Sequence, residues 1–197
     1  MVKLFFSLLF ITFPLMTIAK NNNHQHHHSA YAGEEKRIIK SLSADDVDQL
    51  KSGKGWGFAK AAELNGMPGP LHVLEMKNEI SLTEIQEKQI SALYEKMKKE
   101  AISLGEKYVS LEMALNDAFS QRKISEKNLE KQLKEIASVR SSLRFIHLKA
   151  HLATPNILTE HQIKKYNKLR GYGVTDPCDH VPAGHNAEMW KKHNGCK

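Results

Sequence analysis

The sequence predicts an all-α protein: one long antiparallel helical hairpin, short flanking helices, and disordered N- and C-terminal tails. Three observations predict it. Gly and Pro number only 11 and 6 in 197 residues, and aromatics make up 7%, too few turn and strand formers for a β-sandwich. Apolar residues recur at alternating steps of three and four through the centre, the spacing of one helix face. Helix-opening caps precede the periodic stretches.

The elements follow in chain order. Lys3 precedes an apolar run from Leu4 to Ile18 that ends at Ala19, the three-part pattern of a secretory signal peptide cleaved near Ala19. At about 15 residues the run is short for a membrane span, which needs about 20. The chain is therefore expected to be exported to the periplasm, with residues 1–19 removed. Residues 20–40, polar and containing His24, His26, His27 and His28, form a His-rich disordered tail in this reading. The helical domain is set at 41–173 and a His- and Cys-containing tail at 174–197. Ser43 and Asp46 resemble a capping box, so a short helix follows with Val47 and Leu50 on its inner side. Trp56, Phe58, Ala61, Ala62 and Leu64 suit a second helix, stopped by Asn65-Gly66. Leu71, Val73, Leu74 and Met76 suit a third.

Residues 84–121 carry Ile90, Leu93, Met97, Ala101, Leu104, Tyr108, Leu111, Leu115 and Ala118 on a single stripe, interrupted by no proline and by Gly105 alone. A second stripe, Leu129, Leu133, Ile136, Val139, Leu143 and Ile146, ends near Pro155, where proline stops the helix. A short link between two long amphipathic helices implies an antiparallel hairpin. A last short helix spans 160–170. Met67, Met76 and Met113 are expected to offer adaptable apolar contact at the surface, and Met97, on the stripe, belongs to the core.

Leu82-Thr83-Glu84-Ile85-Gln86 and Leu158-Thr159-Glu160-His161-Gln162 both read Leu-Thr-Glu-x-Gln. Each is a capping box: the Thr hydroxyl accepts from the amide three residues on, and the Gln side chain reaches back to the Thr amide.

Charge and donor residues bound the function. The formal charge is +7, which favours acidic surfaces and chain segments; with export expected, no nucleic acid partner is expected. No Gly-x-Ser-x-Gly, CxxC, CxxCH or phosphate loop is present, so no enzyme is expected. His147 and His151 sit four apart on one helix face, but the intervening residues lack the general-base Glu of a metalloprotease. They read either as metal ligands or as surface and interface histidines. His180, His185 and His193 share the C-terminal tail with Cys178 and Cys196. Imidazole and thiolate suit zinc or copper, whereas in an oxidising compartment the cysteines could pair and close a small loop. No cofactor is required for a binding role; zinc or copper is the metal this donor set would take.

Paired motifs of this kind, flanking a hairpin in an exported basic chain, resemble the Spy/CpxP family of periplasmic proteins. That family is marked by LTxxQ motifs, here Leu82, Thr83, Gln86 and Leu158, Thr159, Gln162, over about residues 80–173, and includes zinc-resistance-associated and metal-sensing members. The run Trp56 to Gly66 and the Pro-Gly-Pro turn look like those of a heavy-metal-resistance subgroup. The resemblance implies a bent hairpin that dimerises into a cradle and binds unfolded clients without ATP, or senses envelope stress or metal. The implied partners are unfolded or envelope protein clients, a second copy in a homodimer, and a membrane sensor protein.

Overall fold

A computed structural model of the chain describes residues 29–172, 177–178 and 181–196. The expected signal segment, the N-terminal histidines and His180 lie outside the described residues. The chain divides into two units, residues 1–33 and 34–197. In the first, residues 29–33 form a turn in which Ala32 N donates to Ser29 O at 3.0 Å.

The second unit is all helical among the described residues. Its helices are α1 (Ala44–Lys51), α2 (Lys60–Glu63), α3 (Pro70–Glu75), α4 (Glu84–Ser120), α5 (Glu126–Ala153), α6 (Glu160–Leu169) and α7 (Ala187–His193). α4, at 37 residues, is about 56 Å long at 1.5 Å per residue. It ends where Arg122 turns into the left-handed region (φ 54°) and Lys123 N donates back to Ala118 O at 3.0 Å. Ser125 then caps α5, its hydroxyl accepting from Asn128 N. The two rods run antiparallel: Lys107 pairs with Glu135 at 3.4 Å near the turn, and Met97 lies beside Ile146 and Ala150 farther out.

The hairpin hides its stripes with the short helices. Ile39, Leu42, Leu50 and Phe58 pack on Tyr108, Val109, Ile136, Val139 and Leu143. A second cluster joins Val73 and Ile80 to Ile90 and Tyr166, all at most 1% exposed. Fully burying a side chain of this size is worth about 1.5–3 kcal/mol, so the hairpin is anchored at two places, near its middle and at the end away from the turn.

Four expectations need correction. The ordered unit starts before residue 41: Ile39 is 3% exposed and Lys40 N donates to Asn116 Oδ1 of α4 at 3.3 Å. Helix α2 covers only Lys60–Glu63. Trp56 and Phe58 precede it in a glycine-rich turn, with Trp56 at φ 41°, because both rings are drawn inward to Tyr108 and His147. Leu133 of the second stripe is 46% exposed, since the short helices do not reach over it. Met76 and Met113 are partly buried against the two clusters rather than free at the surface; Met97 is core, at 9% exposure.

Candidate functional site

Both Leu-Thr-Glu-x-Gln segments form the caps their sequence predicts. Thr83 Oγ1 accepts from Gln86 N at 3.2 Å, and Gln86 Oε1 accepts from Thr83 N at 3.1 Å. The same bonds join Thr159 and Gln162 at 3.2 and 2.9 Å. These local bonds use only the carbonyl end of each glutamine.

The amide ends meet each other. Gln86 Nε2 donates to Gln162 Oε1 at 3.0 Å, and Gln162 Nε2 donates to Gln86 Oε1 at 2.9 Å. The second proton of each amide goes to the carbonyl just before the other motif: Gln86 Nε2 to Ile157 O at 2.8 Å, Gln162 Nε2 to Ser81 O at 3.2 Å. Leu82 and Leu158 flank this pair and pack on the Val73–Tyr166 cluster. The two motifs thus form one reciprocal clasp with a local two-fold relation. It ties the start of α4 to the end of α5 and the start of α6. Every donor of both amides is used, as a half-buried polar pair requires.

The chain belongs to the LTXXQ motif family. The family matches residues 71–170, the stretch from α3 to the end of α6. No curated protein matches the chain, and no solved structure does either. The LTXXQ match contains both motifs and both rods, and leaves out the Trp56 turn and the C-terminal segment.

Behind the clasp, Glu63 of α2 gathers partners from distant parts of this LTXXQ chain. Its Oε1 accepts from Tyr166 Oη at 2.7 Å and Arg170 Nε at 3.2 Å. Burial, and then Glu63 itself, hold the Tyr166 phenol well above its ordinary range. Glu63 Oε2 lies 3.6 Å from His151 Nδ1. No periodicity or motif in the sequence singles out Glu63, because its partners lie a hundred residues away.

The histidine pair is neither on the surface nor at a free interface. His147 is 4% and His151 8% exposed. His151 Nδ1 lies 2.8 Å from Met67 O; a carbonyl only accepts, so this nitrogen donates the bond and Nε2 is at the far edge of the ring. That Nε2 edge faces Gly69, where an added Cβ would stand 2.6 Å away. His147 stacks on Phe58 at 5.9 Å, and its Nε2 is buried with no hydrogen-bond partner. A cavity of about 480 Å³ opens beside the pair, walled by Tyr94, Met97 and Gly69 and rimmed by Lys54, Lys60 and Lys98.

The other proposed ligands lie elsewhere. Cys178 and Cys196 form a disulfide, so neither sulfur is a thiolate donor in this form. His185 packs edge-on against Trp190 at 5.0 Å, and His193 ends α7. Among the described residues, no three His, Cys, Asp or Glu side chains stand together closely enough to hold a metal ion. With one His151 nitrogen bonded to a carbonyl and the other against Gly69, the described donors around this pair do not by themselves complete a zinc or copper centre.

Burial, and then the neighbouring His151, push the His147 imidazole down to about 4 from 6.5. Between those values the unfolded chain binds a proton that the folded chain does not, so stability is lost as pH falls through that window. The loss attributable to His147 is expected to reach about 3 kcal/mol. Urea midpoints of the parent and His147→Met at pH 7 and pH 4.5 check it. The variant's drop is smaller; equal drops would remove His147 as the cause.

An open groove of about 880 Å³ lies where the Trp56 turn meets α4 and α5. No helix among the described residues is long and apolar enough to cross a membrane.

Proposed function

We propose that this LTXXQ protein is a periplasmic, ATP-independent binding protein of the Spy/CpxP type that holds unfolded or acidic client chains and catalyses no reaction. The observation that carries this reading is the outer face of α5. Phe145 and Leu152 are 61% and 60% exposed, with half-buried Leu148 between them. The three fall at steps of three and four, hence on one face. Arg144 and Lys149 are exposed beside them, and Lys149 Nζ stands 5.9 Å from the Phe145 ring centroid. Apolar patches rimmed by charge mark interaction sites, and mixed apolar and cationic character suits client segments with both apolar and acidic residues. The Cys178–Cys196 disulfide accords with an oxidising compartment. In this reading the partners are unfolded or envelope protein clients, a second copy in a homodimer, and a membrane sensor protein.

The mature protein is expected to suppress aggregation of a reduced, unfolding client. Phe145→Ser with Leu152→Ser should weaken suppression severalfold while leaving the melting temperature within a few degrees, because both side chains are exposed. No suppression by the parent at several-fold excess would sink the reading. A second reading, zinc or copper sensing or resistance, draws on the unpartnered His147 Nε2. Calorimetric titration with Zn²⁺ and Cu²⁺ tests it, and absence of saturable heat would end it.

A further inference from the structure

The groove of about 880 Å³ is lined by Trp56, Tyr108, Leu133, Ile136, Arg140 and Arg144, among others. Its construction differs from that of a surface fold between helices. Trp56 is held at φ 41°, a left-handed conformation that a bulky residue adopts only at a cost. The indole is kept there by its own N–H, which donates to Asp46 Oδ1 at 2.7 Å. Asp46 is fixed in turn: its Oδ2 accepts from Ser43 N at 2.8 Å and Ser43 Oγ at 2.6 Å. Those hydrogen bonds, with that from Trp56, hold its carboxyl below the usual range. The strained turn thus presents a pre-positioned aromatic plate.

One cation stands over that plate and a second lies beside it. Arg140 lies 5.7 Å above the Trp56 ring, and Arg144 follows one turn later on the same face of α5. Among the described residues, no carboxylate lies within ion-pair distance of either guanidinium. The carboxylate in the lining, Glu112, is 9% exposed and already accepts from Ser41 Oγ at 2.7 Å. Like charges four residues apart on a helix repel, and an anionic occupant would relieve that repulsion.

We propose that this groove docks an acidic segment of extended polypeptide: an apolar or aromatic side chain lies against Trp56 and Tyr108, and flanking carboxylates pair with Arg140 and Arg144. The inference rests on the client-binding reading above and adds to it a charge-selective site, partly built by residues outside the family match. A peptide is favoured over nucleic acid because Leu133 and Ile136 make one wall apolar, and because an exported, disulfide-bonded chain works away from nucleic acid.

Trp190→Phe leaves Trp56 as the only tryptophan, since the chain has 2. In that host, Trp56 emission is titrated with a blocked pentapeptide of four glutamates around a central phenylalanine. Parallel titrations use the same peptide with lysines for glutamates, and an oligothymidylate. The acidic peptide is expected to saturate the signal. Arg140→Gln with Arg144→Gln should raise its half-saturating concentration about tenfold or more, the loss of one strong charge-assisted pair. Both arginines are exposed, so helicity should be retained; if the double variant does not fold, Arg144→Gln alone and added salt give the same readout. Equal response to acidic and lysine peptides, tighter binding of the oligothymidylate, or no effect of the arginine substitutions would overturn the proposal. So would a Trp56 signal that changes with protein concentration in the absence of peptide, which would assign the groove to a second copy. Phe145→Ser with Leu152→Ser should keep this titration while losing aggregation suppression, so the two readings fail separately.

Discussion

Gly105→Ala is expected to destabilise the protein by about 3 kcal/mol or more, against the direction that helix propensity predicts. In the interior of α4, alanine is the better helix former by about 1 kcal/mol. At Gly105, however, an added Cβ would stand 2.0 Å from Leu50 O and 2.7 Å from Leu50 C. These are backbone atoms at the end of α1, and no rotamer change moves them aside. Either α1 withdraws from α4 or α4 bends, and both open the cluster of Leu50, Phe58 and Tyr108. For a chain of this size, a melting-temperature drop of roughly 6–12 °C is expected. Gly55→Ala is the control, since nothing lies within 4 Å of a Cβ there. Thermal melts of the two variants decide it: a Gly105→Ala protein as stable as the parent would show that α1 does not press on α4 as described.

Gln86→Glu is expected to cost about 2 kcal/mol or more, the penalty of a buried polar network left half satisfied. Glutamate keeps the acceptor that completes the local capping box, and a negative charge in the first turn of a helix is ordinarily favourable. If Gln86 were only a cap, the substitution would be neutral or stabilising. The clasp reverses the sign. A carboxylate in place of the Gln86 amide has no protons to donate, so Ile157 O and Gln162 Oε1 lose the donors that reach them at 2.8 and 3.0 Å. Gln162 is 7% exposed, and water does not readily replace what is lost. Gln162→Glu should behave alike through Ser81 O. The double variant should differ from the sum of the singles by about 1 kcal/mol or more, because both act on one pair. Chemical denaturation of the four-member cycle measures this. Additive, near-neutral effects would reduce the motifs to two independent helix starts.

The two experiments separate what was legible in the residues from what was not. The rods, their turn and both Thr–Gln caps rest on spacings of three and four residues. A cap bond such as Gln86 N to Thr83 Oγ1 closes within one helical turn, so its donor and acceptor can be read off the chain. The short helices near Ser43 and Pro70 were legible for the same reason. Trp56 and Phe58 were not, because a helical spacing of apolar residues fits a turn as well when both rings find the same core. The histidine pair was visible as a pair, but its burial was not: Phe58, Met67 and Gly69 come from another part of the chain.

By itself, the sequence determined an all-helical LTXXQ hairpin with two capped starts and a basic charge balance. Only the tertiary structure decided that the two glutamines hold each other, that Gly105 is a contact point, that Glu63 and Trp56 are positioned residues, and that two arginines line a groove with no ion-pair partner among the described residues. The physical reason is range. Caps and amphipathic stripes satisfy themselves among near neighbours. The second amide proton of Gln86, the missing Cβ of Gly105 and the phenol of Tyr166 are satisfied by groups 55 to 103 residues away in sequence (Gly105 to Leu50, Tyr166 to Glu63), which come within reach only when the chain has folded.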